Sequence, residues 1–305
     1  MSAKIPAGPP PALAPLLAEP LRSALLTDVD GTLAPIAERP EQARVPEAAT
    51  RALRELSRRF GLVGCVSGRR AVEAREMVGL PELAYAGNHG LELLAPWQEE
   101  PSPDPSISGR ETAARDFVAG LEARLADSGV RVEDKGPIQA LHWRGAADEA
   151  AAEQVAREVA ERAGGGGGRT GEVAERAGGE GGRTGEVAER AGGEVGWQAG
   201  AELEARWGRK VLELRPRGGG GKDAAVAALI GAGEGIVHAA YAGDDRTDLD
   251  AFRGLRGLRA AGRLETAVCI GVVSTEGPAE ISEQADLTVE DPSGWLRLLL
   301  VMAEL

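Results

Sequence analysis

Two short acidic motifs carry most of the chemistry this chain can offer. One is Asp28-Val29-Asp30-Gly31-Thr32-Leu33; the other is Tyr241-Ala242-Gly243-Asp244-Asp245-Arg246-Thr247-Asp248. Each follows a short apolar run. Residues i and i+2 of a strand project from one face, so Asp28 and Asp30 are expected to leave the strand end together. Two carboxylates about 4 Å apart repel by about 4 kcal/mol at intermediate dielectric, so a raised pKa or a cation must offset them. The second motif favours the cation. If the two strands are neighbours, five carboxylates converge on one sheet edge, and hard oxygen donors without His or Cys suit Mg²⁺. Each motif alone also reads as an acidic turn capping a strand or helix, but that leaves unexplained why both follow apolar strands.

Two further segments suit an anion. Ser67-Gly68-Arg69 follows the run at 61–66 and opens a helical pattern, where free amides and the helix dipole favour phosphate. Serine there would equally serve as an N-cap. Lys222 follows four glycines (218–221) and begins another helical pattern. This is not a nucleotide-binding P-loop, because Pro216 and Asp223 stand where that motif needs Gly and Ser or Thr. By itself Lys222 reads equally as a solvated helix start or as one mobile positive charge. The Gly31 and Thr32 amides can also face an anion.

Positioning these motifs requires strands alternating with helices, and the chain has that pattern. SALLT (23–27), GLVGCVS (61–67) and ELAYAG (82–87) read as strands, separated by helical stretches such as the one with Leu53, Leu56 and Phe60. After Pro216 the alternation resumes and runs to the end. This predicts an α/β fold, a parallel sheet with helices on both faces. Between the halves, PWQEEPSPDPS (96–106) reads as a linker, and the pattern changes. Phe117, Leu121 and Leu125 mark a helix, VRVEDKG and IQALHWR two strands of a hairpin about Gly136-Pro137, and KVLELRP (210–216) a further strand. The expected division is a flexible Pro- and Ala-rich tail over 1–20, a discontinuous core over 21–104 and 216–305, and an inserted α+β domain over 105–215. Within the insert, REVAERAGGGGGRT (157–170) recurs at 171–184 and, truncated, at 185–195. Its units are too glycine-rich for a solenoid, so a duplicated helix end forming a loop at about 163–196, with little function, is expected.

Composition narrows the class. The 305 residues are 43% hydrophobic and 27% charged, enough for two ordinary domains or one large one, each with a core. A net charge of −13 disfavours nucleic acid and anionic membranes as partners. No apolar run approaches the roughly 20 residues of a membrane span. The prolines of the first twenty residues do not suit a signal peptide, so a cytoplasmic protein is expected. Cys65 and Cys269 lie in apolar runs and read as buried reduced thiols, and His238 is assigned to the core. With five Trp, two Tyr and three Phe, the core is expected to consist of Ala, Leu and Val.

In their order, DVDGTL, the Ser67-Gly68-Arg69 segment, Lys222 and GDDRTD resemble the haloacid-dehalogenase-like phosphotransferases. Within that superfamily, four segments resemble the trehalose-6-phosphate phosphatases: Asn88-His89-Gly90, Val132-Glu133-Asp134-Lys135-Gly136, Leu141-His142-Trp143-Arg144 and Glu213-Leu214-Arg215-Pro216. Gly243 to Phe252 meet that family's GDD-x-TD-x-DAF pattern. The resemblance covers about residues 21 to 305, apart from the duplication. Two departures are Asp223, where the family has glycine, and Leu249, where it has glutamate. The first is expected to crowd or partly neutralise Lys222, the second to touch only support for the site.

The resemblance implies a Rossmann-like hydrolase core with an inserted cap, and Mg²⁺-dependent hydrolysis of trehalose 6-phosphate through an aspartyl-phosphate on Asp28. Asp30 would act as general acid and base, its pKa raised by acidic neighbours. Asp28, the Asp30 carbonyl and Asp244 would hold Mg²⁺, with Asp245 and Asp248 behind, fixing metal waters and Lys222. Ser67, Lys222 and the Gly31 and Gly68 amides would spread the phosphoryl charge. Val29, Arg69 and His89 are implied in substrate binding with Asp28, Asp30 and Gly68. In the cap, Glu133, Lys135, Arg144 and Glu213 would contact the sugar, whereas His142 and Trp143 read as structural. The implied partners are a sugar phosphate and the trehalose-6-phosphate synthase. A phosphatase for sucrose phosphate or a mannosyl phosphate, and more remotely a non-catalytic sugar-phosphate sensor, are the competing readings.

Overall fold

The computed structural model describes residues 8–37, 42–164, 202–208, 210–275 and 277–305. It forms two compact units, Met1–Glu111 with Gly218–Leu305, and Thr112–Arg217. The boundaries fall a few residues later than 105 and 215. The stretch read as a linker belongs to the first unit instead, where Ile107 is fully buried and the Asp104 N–H donates to the Leu91 carbonyl.

The first unit opens with α1 (Ala14–Ala18), β1 (Ser23–Asp28), α2 (Glu47–Ser57), β2 (Leu62–Val66), α3 (Ala71–Val78), β3 (Ala84–Gly87), β4 (Glu92–Leu94) and β5 (Ser102–Pro103). The second unit follows, with α4 (Ala113–Ala119), α5 (Glu122–Ala126), β6 (Arg131–Asp134), β7 (Gln139–His142), α6 (Glu149–Arg162), β8 (Leu203–Gly208) and β9 (Val211–Pro216). The first unit then resumes through α7 (Lys222–Ala232), β10 (His238–Gly243), α8 (Asp248–Ala260), β11 (Thr266–Val273), α9 (Ala279–Gln284), β12 (Leu287–Glu290) and α10 (Asp291–Ala303).

The first unit's sheet runs β12-β11-β10-β1-β2-β3-β4-β5, parallel as far as β3 and antiparallel beyond it. All six residues of β1 are buried, because helices cover both faces and the strand can carry apolar residues on both sides. One apolar cluster holds Leu25, Leu53, Leu56, Tyr85 and Trp295; the other, on the opposite side chains of β1, holds Leu26, Tyr241, Phe252 and Leu255. The few aromatic residues thus anchor a core expected to hold only aliphatics. Cys65 and Cys269 are free and buried, and His238 is buried.

The expected tail needs correcting. Leu13 and Leu16 are 0% and 1% exposed and join the core, and the Ser23 hydroxyl donates to the Glu19 carbonyl at 2.8 Å. Proline marks the opening turns of these short helices, where its missing N–H does no harm, so a Pro-rich composition did not imply disorder. Residues 1–7 lie outside the described residues. So does the duplicated loop of 163–196, apart from Ala163 and Gly164 at the end of α6.

In the second unit an antiparallel sheet runs β6-β7-β9-β8. Leu141, Leu203, Leu212 and Leu214 pack with Phe117, Val118, Leu125 and Val159. The single helix read across Phe117 and Leu125 is two, α4 and α5, separated at Gly120 and Leu121. β8 escaped the sequence reading although Leu203, Ala205 and Trp207 alternate with Glu204, Arg206 and Gly208. Among the described residues, no helix is long and apolar enough to cross a membrane.

Candidate active site

β1 lies between β10 and β2, so the strand order reverses there, and in open α/β sheets the carboxyl ends of the strands at such a reversal are where ligands bind. Thr27 pairs with Ala242, which sets the end of β1 beside Gly243 and the loop that follows it. Asp28, Asp244 and Asp248 each offer a carboxylate oxygen, all within 4.8 Å of one another. Gly31 makes this approach possible. It takes a left-handed φ of 83°, and a Cβ there would run into the Asp244 carboxylate. Thr32 Oγ1 donates to Asp244 Oδ1 at 2.7 Å, an interaction the sequence reading, confined to the Thr32 amide, missed.

Asp248 organises the loop. Its Oδ1 accepts from Lys222 Nζ and from the Tyr241 hydroxyl, each at 2.6 Å, and its Oδ2 from the Asp244 and Asp245 amides at 3.0 and 2.9 Å. Four donors occupy about the full acceptor capacity of a carboxylate. Asp28 and Asp244 are therefore the members of the cluster best placed to give lone pairs to a hard cation, and the donor set fits Mg²⁺. Asp245 turns away, its Oδ1 accepting from the Thr247 amide and hydroxyl and from the Asp248 amide at the start of α8.

Lys222 is 3% exposed, and Nζ lies 3.0 Å from Asp28 Oδ1 and 3.8 Å from Asp245 Oδ1. It is thus no solvated helix start. Burial opposes its charge, but Asp28, Asp248 and Asp245 outweigh that and hold its pKa above the ordinary lysine value. Asp223, expected to neutralise it, is exposed, with its carboxylate beside Gly221; Leu249 packs into the apolar cluster with Phe252. The glycine run before Lys222 has two causes. Gly218, Gly220 and Gly221 have positive φ, and a side chain at Gly219 would collide with Ile107.

Burial pushes Asp28 well into the protonated direction, and Asp248 in the same direction, against the pull of Lys222. It raises Asp244 to about 6, with Asp248 and Asp245 adding to it and the Thr32 hydroxyl and Lys222 opposing. Asp245 is lowered, burial being outweighed by Lys222, Thr247 and the Asp248 amide. A folded state that holds the Asp244 proton more tightly than the unfolded chain loses stability as pH rises from 3.8 towards 6. Asp28 and Asp248 act in the same direction; Asp245 acts oppositely, only towards lower pH. In chelator, the melting temperature is expected to fall between about pH 4 and about pH 6. A flat or rising profile in thermal melts would count against this electrostatic picture.

Asp30 does not join the cluster. Its carboxylate takes both arms of Arg69, Nε to Oδ2 and Nη2 to Oδ1, each at 2.7 Å. β1 ends at Asp28, and the Val29 carbonyl accepts from Leu33 and Ala34 in a tight turn, so strand alternation no longer aims Asp30. The acidic neighbours expected around Asp30 are replaced by a guanidinium, and five converging carboxylates become three. Val29 is fully buried, its side chain part of the core rather than of a substrate surface.

Ser67 is buried, and its Oγ accepts from the Arg69 amide at 3.1 Å, so it braces its own loop instead of capping α3. The first amide of α3, Ala71 N–H, donates to Glu92 Oε1 at 2.6 Å and does not await phosphate. The His89 ring covers Gly68, where a Cβ would lie 2.7 Å from His89 Cε1.

In the second unit, the register Glu133–Ala140–Glu213 puts two glutamates on one sheet face with only alanine between them. Lys135 Nζ lies 3.0 Å from Glu213 Oε1, and His142 Nε2 lies 2.7 Å from Glu133 Oε2. His142, read as structural, therefore belongs with this group. Arg144 is exposed, two residues past the end of β7, and Trp143 packs edge-on against Trp207 with ring centroids 5.9 Å apart.

A family model described as trehalose-phosphatase matches residues 26–163 and 194–293, both sides of the site included. The chain belongs to the trehalose-phosphatase family. This is a family of phosphoric monoester hydrolases, and the stretch between the two matches coincides with most of the duplication. The trehalose-phosphate phosphatase of Mycobacterium avium is 33% identical over 243 residues, covering 77% of this chain and 51% of that protein. The probable trehalose-phosphate phosphatase 4 of Oryza sativa subsp. japonica is 28% identical over 290 residues, covering 92% and 65%. The chain thus spans about half to two thirds of the length of these relatives. The C-terminal domain of Candida albicans trehalose-6-phosphate phosphatase has the same fold, with a TM-score of 0.64 at 18% identity over 99% of this chain and 100% of that one.

Proposed function

We propose that this chain hydrolyses trehalose 6-phosphate to trehalose and phosphate, with Mg²⁺ bound beside Asp28 and the phosphoryl group passing through Asp28. The observation that carries the reading is Asp28 itself. It is a buried carboxylate at the strand-order switch, 3.0 Å from a buried lysine and within the Asp244–Asp248 cluster, in a chain of the trehalose-phosphatase family. Asp28, Asp244 and the Asp30 carbonyl would hold the cation, while Asp248 keeps Lys222 and the 244–248 loop in place. Mg²⁺, when bound, supplies Lewis-acid polarisation of the phosphate and screens it from the acidic cluster.

Asp28 attacks phosphorus as the bond to the sugar oxygen breaks, forming an acyl phosphate and dividing one hard displacement into two easier ones. Asp30, protonated from solvent once it leaves the Arg69 fork, gives that proton to the departing oxygen. Phosphate oxygens competing for the Arg69 fork would release Asp30 for that task. Water then attacks the phosphorus, Asp30 takes its proton, and phosphate leaves with Asp28 restored. Lys222, the Ser67 hydroxyl and the Gly68 amide spread the charge on the non-bridging oxygens.

The second unit supplies sugar recognition in this reading. Glu133, Lys135 and Glu213 offer charged acceptors and a donor on one sheet face, a set that suits sugar hydroxyls. Phosphate release from trehalose 6-phosphate, sucrose phosphate, a mannosyl phosphate and glucose 6-phosphate, with and without Mg²⁺, tests the proposal. Trehalose 6-phosphate should be preferred by about tenfold or more, and only with the cation. Lys135→Ala should raise KM for it by about tenfold while hydrolysis of p-nitrophenyl phosphate stays near wild type. Equal rates across the panel would reduce the assignment to a general sugar phosphatase.

A further inference from the structure

Glu92 has no part in the reaction just described, yet it is a carboxylate only 4% exposed. It lies on β4 opposite Gly87 of β3, and its Oε1 holds the Ala71 N–H that begins α3 at 2.6 Å. Gly87 must be glycine, because a Cβ there would meet Ala71 and come within 2.7 Å of Glu92 Oε1. A buried acid persists where it replaces lost hydration with specific partners. Here these are Ala71 and Asn88.

Between Gly87 and Glu92 the backbone turns left-handed over three successive residues, with φ of 52° at Asn88, 56° at His89 and 91° at Gly90. Such a conformation is uncommon for Asn and His and lasts only where the surroundings over-determine it. They do. The Asn88 N–H donates to the Arg69 carbonyl at 2.7 Å and the His89 N–H to the Ser67 carbonyl at 3.0 Å, while the His89 carbonyl accepts from the Gly221 N–H at 2.5 Å. A Cβ on Gly90 would lie 2.7 Å from the Gly221 carbonyl, so the contact with the residue before Lys222 is close-packed. One turn therefore grips two segments that are far apart in sequence, the Ser67–Arg69 loop and the start of α7.

We propose that Glu92 is a positioning residue for the phosphoryl group: it fixes the start of α3 and so the Ser67-Gly68-Arg69 loop, and the Asn88–Gly90 turn holds that loop in register with Lys222. This rests on the reading that the loop and Lys222 receive the phosphoryl group. Sequence spacing could not show it, since Glu92 reaches Ala71 through the antiparallel pairing of β4 with β3.

The test uses the full chain loaded with Mg²⁺ and measures kcat, KM and competitive inhibition by inorganic phosphate for Glu92→Gln, Glu92→Asp, Glu92→Ala and Ser67→Ala. Glutamine keeps an acceptor oxygen at the same reach and should stay within about threefold of wild type. Aspartate and alanine withdraw the acceptor and should lower kcat by about 10–100-fold, with phosphate inhibition weakened in parallel. Aspartate serves if alanine does not fold. Glu92→Asp with wild-type kcat and phosphate inhibition would overturn the proposal, as would Glu92→Gln losing as much as Glu92→Asp. If Ser67→Ala leaves phosphate inhibition unchanged, the reading of the loop as a phosphate site fails first.

Discussion

Asp28→Asn is expected to abolish turnover, by about a thousandfold or more, and at the same time to raise the melting temperature of the chelated protein. The two effects share one cause. Asn keeps the shape and can still accept from Lys222, but it cannot form a bond to phosphorus that water later breaks. Replacing a carboxylate by an amide also removes one negative charge from a buried cluster in which Asp28, Asp244 and Asp248 outnumber Lys222. Burial already pushes the Asp28 carboxyl towards protonation, so ionising it costs stability that the amide does not. Phosphate release and thermal melts measure both. Retained turnover would remove Asp28 from the reaction, and a lowered melting temperature would mean that its charge is needed for folding.

Lys222→Met is expected to damage both properties. The buried Nζ bridges Asp28 at 3.0 Å and Asp248 at 2.6 Å, and removing it strands two carboxylates without a counter-charge. Breaking a buried pair from one side costs about 3–5 kcal/mol, which chemical denaturation can resolve. Turnover should fall by about 10²–10³-fold, because a preorganised charge at the phosphoryl oxygens is lost. Lys222→Arg should not restore it, since a planar guanidinium cannot replace a point charge set between two carboxylates. A methionine variant as stable and active as wild type would make Lys222 a bystander. Together, the two substitutions separate a group used for chemistry from one used for chemistry and cohesion.

Much of this site was legible in the sequence because buried parallel strands read as apolar runs, and the residues just past those runs fall at one sheet edge. Asp28 and Asp244 were found that way, whereas Lys222 was singled out by the glycine run before it and by the family resemblance. Asp30 was misplaced, because the alternation that aims Asp28 ends with β1, and the Gly31 turn hands Asp30 to Arg69. Glu92 and the capping of Ala71 were invisible, since they depend on a three-residue antiparallel strand following a left-handed turn. His142 was underrated because its partner Glu133 lies across a hairpin, and only register, not spacing, brings them together. At the other extreme, Leu13 and Leu16 had a visible apolar pattern that the surrounding prolines obscured.

The most direct measurement is acid quenching of the Mg²⁺-loaded chain during turnover of trehalose 6-phosphate, followed by peptide mass spectrometry. The expected result is one phosphoryl group on the peptide that contains Asp28, absent from Asp28→Asn and lost on treatment with base. Turnover at full rate with no phosphorylated peptide, or with the phosphoryl group on another residue, would contradict the role given to Asp28.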